Sequence, residues 1–174
     1  MTPWVQRLLI TNVVMFFEQQ TRPGVTNQWV IVPALMLTRP WTIVTYMFLH
    51  GGFAHLIFNM IALYFFGPRV EQRIGSERFF ALYFISGMSG GLLSFVFAPL
   101  AAVIGASGAI FGVLLAFARF WPRDRIYIWG ILPIEARWLV VGYTLLSLWG
   151  GFGGGSSGGG GASGLISLSS CSGS

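Results

Sequence analysis

Long uncharged apolar runs, separated by short clusters of arginine, limit what this chain can fold into. Of its 174 residues, 55% are hydrophobic and only 9% are charged, against roughly 25% charged residues in an ordinary soluble domain. This number of charges is too small to cover the surface of a soluble fold. The composition therefore indicates a protein embedded in the lipid bilayer. The sequence predicts an all-α polytopic membrane protein with one compact membrane domain.

Five apolar segments are candidates for membrane-spanning helices, which need about 20 mainly apolar residues and at least ~17. Residues 41–67 exceed one span, and Gly51-Gly52 offers a break between an interfacial segment and a helix. The predicted spans are residues 5–17, 53–66, 79–97, 103–117 and 138–149. Residues 21–39, 69–78 and 119–125 are predicted loops, and residues 126–134 are predicted to be interfacial.

The basic residues indicate an orientation in the membrane. The net charge of +5 comes from arginines that cluster between apolar runs, which is typical of cytoplasmic loops and does not indicate nucleic-acid binding. With the N-terminus in the cytoplasm, only Arg22 and Arg39 lie outside. The predicted topology therefore has a cytoplasmic N-terminus and a C-terminal tail on the outer side.

The composition changes sharply near residue 150. Residues 150–174 contain 11 Gly and 8 Ser and carry no charge, so they have too little to bury and are typical of a flexible linker. The sequence thus divides into a membrane domain at residues 1–149 and a tail at residues 150–174.

Two polar side chains fall inside the second predicted span. His55 and Asn59 are four residues apart and share one face of a helix. At membrane depth such residues face the protein interior or a wet cavity, and they suggest function. They can equally serve as hydrogen-bonding contacts between helices, and the spacing alone does not decide between these interpretations.

Small residues open the fourth predicted span, where the chain reads Gly105-Ala106-Ser107-Gly108. Such residues permit close contact between helices, and Ser107 has an ordinary interpretation as one of them. The alternative is a nucleophile at a helix N-terminus, where free backbone N–H groups and the helix dipole stabilise a developing oxyanion.

Taken together, these motifs closely resemble the rhomboid family of intramembrane serine proteases. The resemblance covers about residues 4–157 and rests on the spacing of His50, His55 and Asn59, the loop sequence from Glu71 to Ser76, and the Gly-Ala-Ser-Gly segment. It implies a rhomboid-like helical bundle with five recognisable transmembrane helices of the usual six.

The resemblance also implies roles for individual residues. Ser107 matches the nucleophile, and His55, Asn59 and the backbone N–H of Ser107 match the oxyanion hole. The residues that match structural support are His50, Gly105, Gly108, Glu71 and Arg73. Glu71 and Arg73 match a pair that joins the second and third helices, although they can also be an ordinary solvated loop pair.

One expected residue has no counterpart. A serine hydroxyl needs a positioned base, which in rhomboids is a histidine on the sixth helix in a motif resembling Ala-His-x-Gly-Gly. The chain has two histidines, His50 and His55, and neither matches it. Loss of a triad member lowers the rate by on the order of 10⁴ or more. We therefore expect an impaired enzyme, and we hypothesise that a frameshift or similar change replaced the sixth helix with the tail.

The sequence is compatible with three classes of function. The first is proteolysis of transmembrane-helix substrates by Ser107, and the second is an inactive relative that still binds such helices. The third, a small channel or transporter, is weakest because no span carries a charge at mid-membrane. We expect no cofactor and no metal, because two histidines without nearby cysteines or carboxylates are poor zinc ligands. The substrate and the oligomeric state are not determined.

Overall fold

The computed structural model describes residues 1–97, 99–128, 132–135, 138 and 140–142. Most of the predicted fifth span and the whole predicted tail lie outside the described residues. Two short 3-10 helices cover Pro33–Leu35 and Tyr46–Phe48. The α-helices are α1 (Pro3–Thr21), α2 (Pro23–Trp29), α3 (Thr42–Thr45), α4 (Phe53–Ile74), α5 (Ser76–Phe97) and α6 (Ser107–Phe120).

The chain is mostly helical, as predicted, with one addition. Strands β1 (Arg125–Ile128) and β2 (Leu132–Glu135) pair antiparallel, with Arg125 opposite Glu135. They lie in the segment predicted to be interfacial. The prediction of an all-α protein missed this hairpin because a short apolar run does not by itself distinguish a strand from a helix segment.

Two helices within the described residues are long and apolar enough to cross a membrane, namely Phe53–Ile74 and Ser76–Val96. The apolar helix α6 is shorter, with 14 residues. The predicted loop at residues 69–78 is wrong in extent, because α4 continues to Ile74 and only Gly75 separates it from α5. Arginine and glutamate are good helix formers, so a charged segment is not necessarily a loop.

The predicted loop at residues 21–39 also contains helices. Prolines are typical helix breakers, yet Pro23 and Pro33 each begin a helical segment. Proline is tolerated at the first helical position because that N–H has no partner within the helix. The predicted break at Gly51-Gly52 is confirmed, since Gly52 is the N-cap residue of α4.

Helix α6 begins four residues later than predicted, at Ser107. The preceding segment is extended and held by the first half of the chain. The N–H of Val103 donates to the Ile31 carbonyl at 2.9 Å, and the N–H of Gly105 donates to the Tyr46 carbonyl at 3.0 Å. These tertiary bonds replace the helical pairing that the apolar sequence suggested.

Glycines bring α5 and α6 into close contact. A Cβ atom built on Gly108 would lie 3.5 Å from Cα of Gly90 and 3.7 Å from Cα of Gly87, and one on Gly112 would collide with Ser86. Gly91, four residues after Gly87 on α5, instead faces Tyr46 and Ile31. The packing places the start of α6 against the middle of α5.

Candidate active site

Ser107 is the first residue of α6, and the segment before it has an unusual backbone. Gly105 is buried and has φ +125°, a conformation that residues with a side chain rarely adopt. Ala106 is the N-cap residue. The N-terminus of a helix presents backbone N–H groups and the positive end of the helix dipole. Ser107 therefore lies where a negative charge is stabilised.

His55 approaches the same point from α4. A Cβ atom built on Gly105 would lie 3.0 Å from Nε2 of His55 and 3.8 Å from Oγ of Ser107. The side chains of His55 and Ser107 thus border one position of the backbone, and only a glycine leaves room for the imidazole there.

Asn59 lies one helical turn after His55, on the same face of α4. Its side chain is buried, with 2% of its surface exposed. Its Nδ2 donates a hydrogen bond to the backbone carbonyl of His55 at 2.8 Å. The sequence prediction that the two residues share a face is confirmed.

The orientation of the His55 ring defines its chemistry. The backbone N–H of Gly51 donates to Nδ1 of His55 across a long distance of 3.5 Å. A backbone N–H can only donate, so Nδ1 is the acceptor in this bond, which favours the neutral tautomer that carries its proton on Nε2. Nε2 faces Gly105, so His55 presents a hydrogen-bond donor to the space near Ser107.

His50 is buried beside His55. The centroids of the two rings are 5.4 Å apart in an edge-on arrangement, and 1% of the surface of His50 is exposed. Burial, and secondly the nearby His55, lowers the pKa of His50 to about 4. A neutral His50 supports the loop before α4 by packing.

Two residues that the sequence analysis did not single out also hold this region. Gln19, in the last turn of α1, bonds both backbone groups of His50. The hydroxyl of Tyr46 donates to the Gly87 carbonyl at 2.6 Å, while its own carbonyl accepts the bond from Gly105. In the sequence, Gln19 is a polar residue at the end of an apolar helix. This position does not indicate which residue its side chain contacts.

Glu71 and Arg73 have separate contacts. Glu71 is buried, and its carboxylate accepts hydrogen bonds from the N–H groups of Trp4 and Val5, both at 3.1 Å, and from the hydroxyl of Ser76 at 2.8 Å. It therefore caps α1 and joins it to α4 and α5. Arg73 instead lies over the ring of Phe120, 5.7 Å from its centroid.

Within the described residues, Glu71 and Arg73 form no ion pair with each other. The ion pair at this end joins Arg69 to Asp124 at 2.8 Å. Within the same part of the chain, no three His, Cys, Asp or Glu residues are grouped so that they could hold a metal ion.

The sequence pattern of the rhomboid domain matches residues 37–167, which is most of the chain and includes His50, His55, Asn59, Gly105 and Ser107. The chain belongs to the rhomboid family. The match starts later than the resemblance described above and extends further, into the Gly- and Ser-rich residues. As a rhomboid, the chain is an integral membrane protein from a family of intramembrane serine proteases.

Individual rhomboids show the same similarity. The chain is 39% identical to the rhomboid protease GluP of Bacillus subtilis over 110 residues, covering 59% of this chain and 22% of GluP. It is 38% identical to rhomboid-like protease 3 of Toxoplasma gondii over 82 residues, covering 47% and 31% of the two chains. It is 45% identical to RHOMBOID-like protein 2 of Arabidopsis thaliana over 73 residues, covering 42% and 23%. The aligned part is thus less than a third of each of these relatives.

Proposed function

We propose that this rhomboid is a serine endopeptidase that cleaves transmembrane helices of membrane-protein substrates, with Ser107 as its nucleophile. The observation that carries the proposal is the convergence of Ser107 and His55 beside Gly105. A hydroxyl at a helix N-terminus and a facing N–H donor are the groups that acyl transfer needs. The names of the relatives GluP and rhomboid-like protease 3 describe proteases, which supports the same reaction class.

In this proposal His55, Asn59 and the backbone N–H of Ser107 stabilise the oxyanion. The tautomer of His55 supports this role, because an Nε2–H group donates to an oxyanion and cannot accept the proton of Ser107. Removal of one such donor lowers kcat by ~10²–10³ in enzymes of this type. Gly105 and Gly108 support the site by close packing, His50 by filling the space behind His55, and Glu71 by joining three helices.

The sequence has no residue that matches the histidine base that would activate Ser107. His50 and His55 are the two histidines of the sequence, and neither matches the position of the base in the family's sixth helix. We therefore propose that these 174 residues react slowly through Ser107, and that a change in the reading frame produced the tail at residues 150–174. Translation of the other two frames of the coding DNA tests this. An apolar histidine-containing segment in either frame supports the proposal, and its absence from both rejects it.

A fluorophosphonate probe tests the function itself. We expect slow labelling of the purified chain that is lost in Ser107→Ala and kept in Ser94→Ala. Ser94 is a suitable control because its hydroxyl bonds the Gly91 carbonyl on α5. Labelling that persists in Ser107→Ala would overturn the assignment of the nucleophile.

The second candidate function is binding of transmembrane helices without cleavage. The lack of a base in the sequence favours it. It predicts no labelling of any variant, together with co-purification of a transmembrane-helix substrate that is weakened by changes at Asn59 or His55.

The arrangement of charges supports the proposed orientation. The exposed arginines Arg7, Arg69, Arg73, Arg78, Arg119 and Arg123 lie at the end of the bundle where α1 and α5 begin and α4 and α6 end. Arg22 and Arg39 lie at the opposite end, which also holds Ser107. By the positive-inside rule the arginine-rich end is cytoplasmic, and the site faces the outer side.

Cysteine labelling tests this orientation. Gln28 and Glu77 are exposed at opposite ends. With Cys171 replaced by serine, a membrane-impermeant maleimide added to intact cells should label Gln28→Cys and not Glu77→Cys. The reverse pattern would invert the topology.

A further inference from the structure

The side-chain amide of Gln19 holds the backbone of His50 at two points. Nε2 of Gln19 donates to the His50 carbonyl at 2.9 Å, and Oε1 accepts from the His50 N–H at 3.0 Å. The two residues are 31 positions apart in sequence. Both backbone groups of one residue are bonded by one amide, so this contact determines the position and the direction of the chain there.

The chain held in this way leads directly into the proposed oxyanion hole. Gly51 follows His50, and its N–H donates to Nδ1 of His55. The ring of His50 packs edge-on against that of His55. A shift of the His50 backbone therefore moves both the N–H group that selects the tautomer of His55 and the ring that packs beside it.

We propose that Gln19 is a positioning residue of the active site, which sets the tautomer and the orientation of His55 through the backbone of His50 and Gly51. Gln19 keeps the N–H of Gly51 on Nδ1, and so keeps the proton of His55 on Nε2, toward Gly105 and Ser107. The last turn of α1 is thereby coupled to the site on α4 and α6. The role of this coupling in catalysis rests on the proposed function. The coupling between Gln19 and the His55 tautomer does not depend on that function.

Nitrogen-15 NMR of the two histidines measures the coupling directly. The full chain with labelled histidine, in detergent micelles at mildly alkaline pH, should show the shifts of an Nε2–H tautomer for His55. In Gln19→Ala, we expect a roughly tenfold change in the ratio of the two tautomers, as for the loss of one hydrogen bond. Gln20→Ala is the matched control, because Gln20 is exposed on the same helical turn and should leave both histidines unchanged.

Gln19→Glu separates positioning from folding. A carboxylate still accepts the His50 N–H, but its second oxygen faces the His50 carbonyl as acceptor against acceptor, so we expect the tautomer ratio to change while the chain remains folded. The amide signal of Gly75, at the opposite end of α4, should remain unchanged in a folded variant. His55 shifts that are the same in Gln19→Ala as in the parent chain would overturn the proposal.

The NMR measurement of the His55 tautomer does not depend on whether Ser107 catalyses proteolysis. If Gln19→Ala changes the tautomer while Ser107 never reacts with the probe, the positioning stands and the proposed function fails. If Ser107 reacts and the tautomer does not respond to Gln19, the reverse holds.

Discussion

The imidazole of His55 lies against Gly105, so closely that a Cβ atom on Gly105 would come within 2.7 Å of Cε1 and 3.0 Å of Nε2. This relationship makes Gly105 a requirement of the site for two separate reasons. Its φ of +125° disfavours any side chain, and the space that a side chain would need is filled by the imidazole. The two reasons can be separated by experiment.

Gly105→Ala should both strain the backbone and displace His55. Gly75 provides the control, because its φ is +88° but nothing lies within 4 Å of a Cβ atom built there. Backbone strain of this kind is worth about 1–3 kcal/mol, and both variants should lose stability of that order in thermal unfolding. Only Gly105→Ala should shift the NMR signals of His55. An equal response of His55 in both variants would show that strain alone disturbs the site.

Loss of the charge on Glu71 should weaken the junction of three helices. Glu71→Gln keeps the shape but cannot accept from Trp4, Val5 and Ser76 with both oxygens, so we expect a loss of about 1–3 kcal/mol in the free energy of unfolding. Glu77→Gln, at an exposed position of α5, should change it by less than about 0.5 kcal/mol. Similar unfolding curves for the two variants would contradict the buried role of Glu71.

A side chain on Gly112 should push α6 away from α5. A Cβ atom there collides with the side chain of Ser86, and overpacking of this kind reduces stability by about 1–3 kcal/mol. Ser86→Gly should restore most of the stability of Gly112→Ala, because it removes the colliding atoms. Thermal unfolding of the single and double variants measures this coupling, and purely additive effects would mean that the two residues do not interact.

Burial of His50 should make the fold sensitive to acid. The pKa of His50 is lowered by burial from 6.5 to about 4, so in the interval between these values the unfolded chain binds a proton that the folded chain does not. Stability that is present above pH 6.5 is therefore lost as the pH falls toward 4. The full loss would be on the order of 3 kcal/mol.

Comparison with His50→Gln tests this effect. The variant should unfold with a shallower dependence on pH than the parent chain, because it lacks the buried titrating ring while His55 is present in both. Parallel pH profiles of the unfolding temperature would show that His50 does not contribute.

The sequence by itself determined those features that depend on neighbours along the chain. The span at residues 79–97 followed from its length and lack of charge, and α5 covers it. The shared face of His55 and Asn59 followed from helical periodicity, and the start of α4 followed from Gly51-Gly52. Each of these features requires only the propensities and spacing of adjacent residues, which a sequence displays directly.

Tertiary structure alone decided which distant residues meet. The apolar residues before Ser107 do not show that Ile31 and Tyr46 draw them out of a helix, and no spacing shows that Glu71 caps α1. The same holds for the contact of Gln19 with His50. Such bonds depend on where each segment lies after the helices have packed, because a backbone N–H donates to any correctly placed oxygen, whatever the separation of the two residues along the chain.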